Sequence, residues 1–398
     1  MMAGAAGLPA RGEAAPPGGA AGTLRFTSAE TLASGATFRT FETSGAGGRV
    51  AGALVDVDLR RATAGLLRPP VVAARRTVSA MADAQHAVAG VNGDFFNISE
   101  THAGVAPTGS ASGPEVDGGR PRKGAVPDGQ RFGPPLPPGT SAEDVIGVGT
   151  DGRGHVARLR LTGTVRSGRR SVALRGLNQY ALPVGGVGAF GPEWGDASRR
   201  RAVCGTDRER SDPCSTDTAE VTVRRGVVTR VSGVVGGGAV PSGTTVLVGR
   251  EKGAGMLRRL RPGDRVRVSY RLAGPVRFRF AVGGLPILRN GRPLDGLAAA
   301  GPAPRTAAGV SRDGRHLYLV VVDGRSERSG GVTVAELASL LGRAGARDAV
   351  NLDGGGSSTL VTRSPGEASV AVRNAPSDGT ERAVANGIGV FPAGARRG

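Results

Sequence analysis

Two short stretches carry residue types that do chemistry on a polar substrate. The first is Asn351-Leu352-Asp353-Gly354-Gly355-Gly356-Ser357-Ser358-Thr359, which sets an amide, a carboxylate and neighbouring hydroxyls around three consecutive glycines. The second is Val91-Asn92-Gly93-Asp94-Phe95-Phe96-Asn97, where one glycine joins an amide to a carboxylate and two aromatics follow to hold the turn in place. Three glycines in a row are costly to order, and a simple hairpin needs one or two at most. What they supply is a backbone that can approach a ligand closely. The first stretch is not a phosphate loop, because no lysine follows the glycines. Nor is it a nucleophile elbow, because Ser357 and Ser358 are not framed as Gly-x-Ser-x-Gly. Arg305 and Arg325 fall at the ends of apolar runs, where planar guanidinium groups can clamp an anion. The plain alternative is a set of Asx and glycine turns capping strands, with the arginines as solvated charges.

Periodicity supplies the elements around these stretches. Thr333-Val334-Ala335-Glu336 has the capping-box form, and Leu337, Leu340 and Leu341 recur at helical spacing until Gly342 and Gly345. Ala349-Val350 then reads as a short strand in and Leu360-Val361 as a strand out, so the glycines make a tight connection between two strands. Leu54 to Leu59 alternates like a half-buried strand, and Val78 to Gly90 reads as a short helix. Residues 107–140 are rich in proline and glycine with few apolar anchors, which predicts a long loop without a motif. From Val145 to Tyr270, apolar runs such as Val156–Leu161, Val221–Val223, Val227–Val231, Val246–Val248 and Val266–Tyr270 alternate with glycine turns. Ala281 to Leu288 is a glycine-broken strand and Leu317 to Val322 a continuous apolar one. The expected fold is mixed α+β, with a strand-rich central sheet, few helices and many loops. The divisions expected are a disordered segment 1–22, an N-terminal part 23–150, a β-rich middle section 151–275 and a C-terminal part 276–392.

Composition narrows the function classes. The chain has 398 residues with 68 glycines, 26 prolines and 4% aromatics, and no run of about 18 apolar residues to form a membrane-spanning helix. Its formal charge of +19 invites a nucleic-acid reading. The cations are nearly all arginine, scattered in pairs and triplets, and aromatic stacking platforms are scarce, so no nucleic-acid partner is expected. Cys204 and Cys214 flank a polar loop with no histidine nearby in sequence, which favours a disulfide over a metal site and an exported location, although no secretion signal is visible in residues 1–22. His86, His102, His155 and His316 lie outside the motifs, so a Ser-His-Asp hydrolase is not expected.

Taken in order, these motifs resemble the phosphodiester glycosidase family. The likeness rests on Asn92-Gly93-Asp94-Phe95-Phe96, Gly283-Gly284 with Pro286-Ile287-Leu288, Arg305-Thr306-Ala307, Val322-Asp323-Gly324-Arg325, Asn351 to Ser358, and Asn374 to Asp378 with Arg382. They run from about residue 88 to 392; the first 50 residues and the middle section carry no motif of this kind. The resemblance implies a hydrolase that cleaves the glycosidic bond of a sugar 1-phosphodiester on an exported or cell-envelope substrate, with no cofactor required. Such a site needs groups for an oxocarbenium-like sugar and for a departing phosphate. Asp94, Asp323 and Asp353 are the expected catalytic carboxylates, and Arg305, Arg325 and Arg382 the phosphate holders. The amides of Gly354, Gly355 and Gly356 with Ser357 and Ser358 would form a nest for phosphate oxygens. Asn92, Asn351 and Asn374 would bond sugar hydroxyls or fix the carboxylates, with Thr306 and Asp378 completing the binding set. An alternative use of the Asp and Asn cluster is a Ca²⁺ site. The competing class is a non-catalytic surface protein that binds anionic glycans through its positive charge. The sugar, the group beyond the phosphate and the oligomeric state stay open.

Overall fold

The computed structural model describes residues 22–394. Of the segment expected to be disordered, residues 1–21 lie outside the described residues; Gly22 donates its amide to Ser44 O at 3.0 Å. Two sheets and a helix form the layers that position the motifs. The main sheet is antiparallel and eight-stranded, in the order Arg25–Ala33, Ala36–Gly45, Gly48–Asp58, His316–Val322, Arg305–Val310, Asp348–Asn351, Leu285–Arg289, Arg292–Pro293. His316–Val322 reads as continuously apolar because both of its faces are covered, the usual cause of such a pattern. Neighbouring residues part to opposite sides, as strand geometry requires. Leu54, Val320 and Ala349 pack under Leu337, Leu340 and Leu341 of the helix Val334–Arg343. Val55, Val321 and Val350 pack instead against Leu66, Val91, Leu360, Ile388 and Val390 of a second sheet. That second sheet runs Ala371–Val372, Leu360–Thr362, Ala89–Asn92, Gly387–Pro392, Ala62–Leu67.

The helix starts where its capping box predicts. Thr333 Oγ1 accepts from Glu336 N at 3.1 Å, and Glu336 returns a carboxylate oxygen to Thr333 N at 2.8 Å. A third sheet, Arg120–Lys123, Glu115–Asp117, Phe278–Gly283, Asp144–Gly149, Gly154–Arg158, flanks this core. Between its last two strands in sequence lie two further sheets with apolar clusters of their own, built from strands between Arg160 and Ala273. The strand-rich mixed class expected from the sequence is the one observed.

The glycine stretch does connect two strands, Asp348–Asn351 of the main sheet and Leu360–Thr362 of the second, so it crosses between layers. Two expectations need correction. The helix expected over 78–90 ends at Ala84, because His86 takes a positive φ of 56° and Ala89–Asn92 continues as a strand. Residues 107–140 are not one long loop. They contain the hairpin Glu115–Asp117/Arg120–Lys123 and a turn of 3₁₀ helix at Asp128–Gln130. The segment is anchored by buried polar side chains, Glu115, Lys123 and Gln130, beside only a few apolar ones, Ala111, Val116 and Val126, and so reads as a loop.

Cys204 and Cys214 are bonded. The loop they close docks on the turn at 128–132: Gly129 N donates to Asp207 O (3.1 Å), Gln130 Nε2 to Thr206 O (2.6 Å), and Arg210 Nη1 to Arg131 O (3.1 Å). The Arg210 guanidinium also lies 4.0 Å over the Phe132 ring. Replacing both cysteines by serine is expected to lower stability by about 2.5–3 kcal/mol through loop-closure entropy. A denaturant midpoint compared with that of the parent chain measures it, and an unchanged midpoint contradicts it.

Candidate active site

Asn92, at the end of a second-sheet strand and wholly buried, ties the motifs together. Its Oδ1 accepts from Thr306 Oγ1 (2.7 Å) and Thr359 N (3.0 Å), and its Nδ2 donates to Asp353 O (2.6 Å). Asp353 N donates to Gly93 O at 2.8 Å, and Leu352 N to Thr306 O at 2.8 Å. Of the two uses open to Asn92, the geometry fits the second: its amide holds the carboxylate turn from both its oxygen and its nitrogen. Thr306 is likewise buried and committed to Asn92. Asn351 differs. Its side chain is buried, yet neither amide atom has a hydrogen-bond partner among the described residues, and the hydroxyls of Ser358 and Thr359 are equally unpaired. Buried polar atoms of this kind are ordinarily satisfied by ordered water or a ligand.

The carboxylates occupy different settings. Burial pushes Asp353 up to about 6. The Ser357 hydroxyl, the Gly354 amide and Arg382 pull the other way, and the charge of Asp94 adds to the rise. Asp94, 4% exposed, sits in a slot between two glycines. Its Oδ2 accepts from Gly113 N at 2.5 Å and its own amide donates to Asn386 Oδ1 at 2.9 Å. Burial raises its pKa, opposed by the Gly113 amide and by the charges of Lys123 and Arg131. Asp323, also raised by burial, accepts from Ala375 N (2.9 Å) and Asn374 Nδ2 (3.3 Å). Asn374 in turn donates to Ser358 O (3.0 Å) and accepts from Leu360 N (2.8 Å). Asp323 and Asn374 therefore brace the glycine stretch from outside.

The three glycines have three neighbours. A Cβ on Gly354 would lie 3.6 Å from Arg305 Cδ, and one on Gly355, whose φ is +60°, 3.5 Å from an Arg325 guanidinium nitrogen. On Gly356 it would lie 2.1 Å from Asp378 Oδ2 and 2.2 Å from Arg382 Nη2, so the Asp378–Arg382 ion pair occupies the space that a side chain would need. The three glycines answer three different demands, the Pro304 carbonyl 2.9 Å from a Cβ on Gly354, the positive φ of Gly355, and the ion pair over Gly356, and three arginines lie around the same turn. Arg305 is fixed by Val332 O (3.2 Å) and Gly301 O (3.1 Å); burial first, and Arg325 second, lower its pKa. Arg325 is exposed and holds a φ of 59°, uncommon for a residue with a side chain. Arg382 reaches Ser357 Oγ at 3.5 Å.

Sequence reasoning missed the residues behind Asp94: Lys123, Glu115, Arg131 and Asn386. Lys123 carries the one signal that pointed to it, as one of two lysines among 52 cationic residues. Among the described residues His102, Cys204 and Cys214 come within 4.8 Å of one another, but the sulfurs are bonded. Both ring nitrogens of His102 are also engaged, by Glu100 and by Asp212 O, so the group does not offer a metal centre.

Residues 217–391 match the family model described as phosphodiester glycosidase. That match takes in Arg305, Asp323, Arg325, Asp353 and Arg382, while Asn92-Gly93-Asp94 lies outside it. Over 81 residues the chain is 43% identical to the SPbeta prophage-derived uncharacterized protein YomE of Bacillus subtilis (strain 168), covering 20% of this chain and 12% of that protein. A hypothetical protein from Synechocystis superposes with a TM-score of 0.66 at 21% identity, over 90% of this chain and 62% of that one. A protein of Burkholderia pseudomallei K96243, described as exported, superposes with a TM-score of 0.71 at 21% identity, over 96% of this chain and 99% of that one. At such identities the likeness is one of fold. The chain spans only part of the prophage and Synechocystis proteins.

Gly283→Ala is a direct probe of the Asp94 slot. The new Cβ would fall 2.4 Å from Asp94 Oδ2 and 2.7 Å from Gly113 Cα, where backbone cannot give way cheaply. A loss of about 1–3 kcal/mol in stability is expected from overpacking. Calorimetry measures it, and an unchanged melting temperature would show that the slot is loose.

Proposed function

We propose that this chain, whose residues 217–391 belong to the phosphodiester glycosidase family, hydrolyses the glycosidic bond of a sugar 1-phosphodiester and releases a reducing sugar and a phosphate monoester. The observation that carries this reading is that Asp94 lies near enough to Asp353 for its charge to raise it, with three arginines around the adjoining glycines. Carboxylates alone would suit a neutral glycoside, and arginines alone a phosphatase. Here the bond from the anomeric carbon to the phosphate oxygen breaks, its electron pair leaves with the phosphate, and the monoester dianion is held by Arg305, Arg325 and Arg382. Water adds to the carbon. Asp353 takes its proton, and both carboxylates stabilise the cationic sugar while the bond is broken. Phosphate leaves readily, so a strong general acid is not required. The amides of Gly354 and Gly355 are taken by Asp353 Oδ1 (3.0 Å) and Pro304 O (2.9 Å), so of the expected nest the Gly356 amide and the unpaired Ser358 hydroxyl are left for phosphate oxygens, and Asn351 for the sugar.

Ca²⁺ does not suit this donor set, since arginines and Lys123 already supply positive charge around the carboxylates. The disulfide, the likeness to a protein described as exported, and the absence among described residues of a helix able to cross a membrane support a secreted or cell-surface site of action.

Hydrolysis in ¹⁸O-labelled water tests the bond. Label in the sugar is expected, and label in the phosphate would make the protein a phosphodiesterase. Binding of anionic glycans that weakens with salt and gives no product would favour the non-catalytic alternative.

Asp353→Asn should cut kcat/KM at least ~10²-fold. The same change should stabilise the fold near neutral pH. A carboxyl raised from 3.8 to about 6 is ionised more easily in the unfolded chain, so the folded state loses stability as pH rises through that window. At ~1.4 kcal/mol per unit, removing the charge returns up to about 3 kcal/mol above pH 6. Unfolding curves from pH 4 to 8 measure it; parallel curves for parent and variant would contradict it.

A further inference from the structure

The reading above leaves a buried polar network unused. Lys123 has no exposure, Glu115 3%, Arg122 7% and Asn386 none. The Lys123 ammonium donates to Gly113 O and to Gly124 O, the latter at 2.7 Å. Asn386 donates to Glu115 Oε1 at 2.8 Å while accepting from the amide of Asp94, and Arg122 Nε lies 3.5 Å from Glu115 Oε2. Lys123 faces the carboxylates of both Asp94 and Glu115.

An ammonium kept dry is expensive unless negative charge nearby repays it. Two backbone carbonyls could be bonded by a neutral side chain, so the hydrogen bonds alone do not explain a cation here. The chain also departs from its habit: of 52 lysines and arginines only Lys123 and Lys252 are lysine. A compact ammonium fits between two carbonyls where a planar guanidinium does not. The charged or titratable groups facing Asp94 are Lys123, Arg131, Asp353 and Tyr180, with Glu115 and Arg122 behind Lys123 and Arg382 beyond Asp353. The charge of Asp94 raises Asp353, so the two ionisations are linked. Without a counter-charge beside the buried Asp94, ionising both would cost more.

We infer that Lys123 is the positioning residue that keeps Asp94 and Asp353 ionised together at neutral pH. It touches no substrate; it acts through Gly113 and the Asp94 carboxylate. Burial lowers its own pKa to about 8, against the pull of Glu115 and Asp94, so the arrangement holds at neutral pH and fails on the alkaline side. The inference rests on the hydrolase reading only for its activity readout.

The test combines two measurements on the full chain. In pH profiles of kcat/KM, Lys123→Met should move the acid limb up by a unit or more and remove an alkaline limb near 8. Glu115→Gln, which leaves more of the ammonium's field for Asp94, should move the acid limb down. An unmoved acid limb in both variants overturns the inference and reduces Lys123 to a tie between carbonyls. In unfolding equilibria, the Asp94→Asn change should cost at least tenfold less in the Lys123→Met background than in the parent. Additive effects overturn the inference whether or not any substrate is turned over. Coupling without turnover of any sugar 1-phosphodiester upholds the charge pairing and sinks the hydrolase reading instead. If Lys123→Met does not fold, the double variant with Asp94→Asn should regain folding, and its failure to do so counts against the pairing.

Discussion

The amide of Asn92 is the interaction on which the site depends. One side chain reads two layers at once, taking a hydroxyl from the main sheet at Thr306 and holding both ends of the glycine stretch at Asp353 and Thr359. The contact needs an acceptor with two lone pairs and a donor on the same planar group, which only a carboxamide supplies, and asparagine supplies it on the shorter stem. Leucine there would leave the Thr306 hydroxyl and the Thr359 amide buried and unpaired, and aspartate would place a third carboxylate against Asp353. The layers are held by apolar packing, but their relative register near the site is set by this polar contact.

Charge balance is the second constraint. Asp94 and Asp353 are both raised by burial, and the charge of Asp94 adds to the rise at Asp353. Cations answer this from two sides, Lys123 and Arg131 beneath Asp94 and Arg382 beside Asp353. Arg305 is lowered by burial first and by the charge of Arg325 second. A pair of cations brought together on one turn is an arrangement that an anion would relieve.

How much of this could be read from the chain depends on the distance over which each signal acts. The helix Val334–Arg343 announced itself because Thr333 and Glu336 are three residues apart. The strand His316–Val322 did so because two-sided burial leaves an unbroken apolar run. The carboxylates, arginines and glycines were legible as types and as a family likeness. Fixing a carboxylate was one of two uses open to Asn92, but its partners, 214 to 267 positions away, could not be named. Residues 107–140 misled because most of their anchors are buried charges and amides, which in a sequence look like solvent-facing ones. The end of the first helix was misplaced because nothing marks His86 as left-handed.

The same long reach has a consequence for when the protein becomes competent. Asp94 is held through its amide by Asn386, and Asn92 closes on residues beyond 350, so the slot cannot assemble from the first half of the chain. During synthesis the early strands can pair locally, but the carboxylate pair comes together only after the strand Gly387–Pro392 has been inserted between Ala62–Leu67 and Ala89–Asn92. That strand fills an interior position of the second sheet. A nascent chain that has not yet supplied that strand therefore lacks the assembled slot, and the site is among the last parts of the molecule to exist.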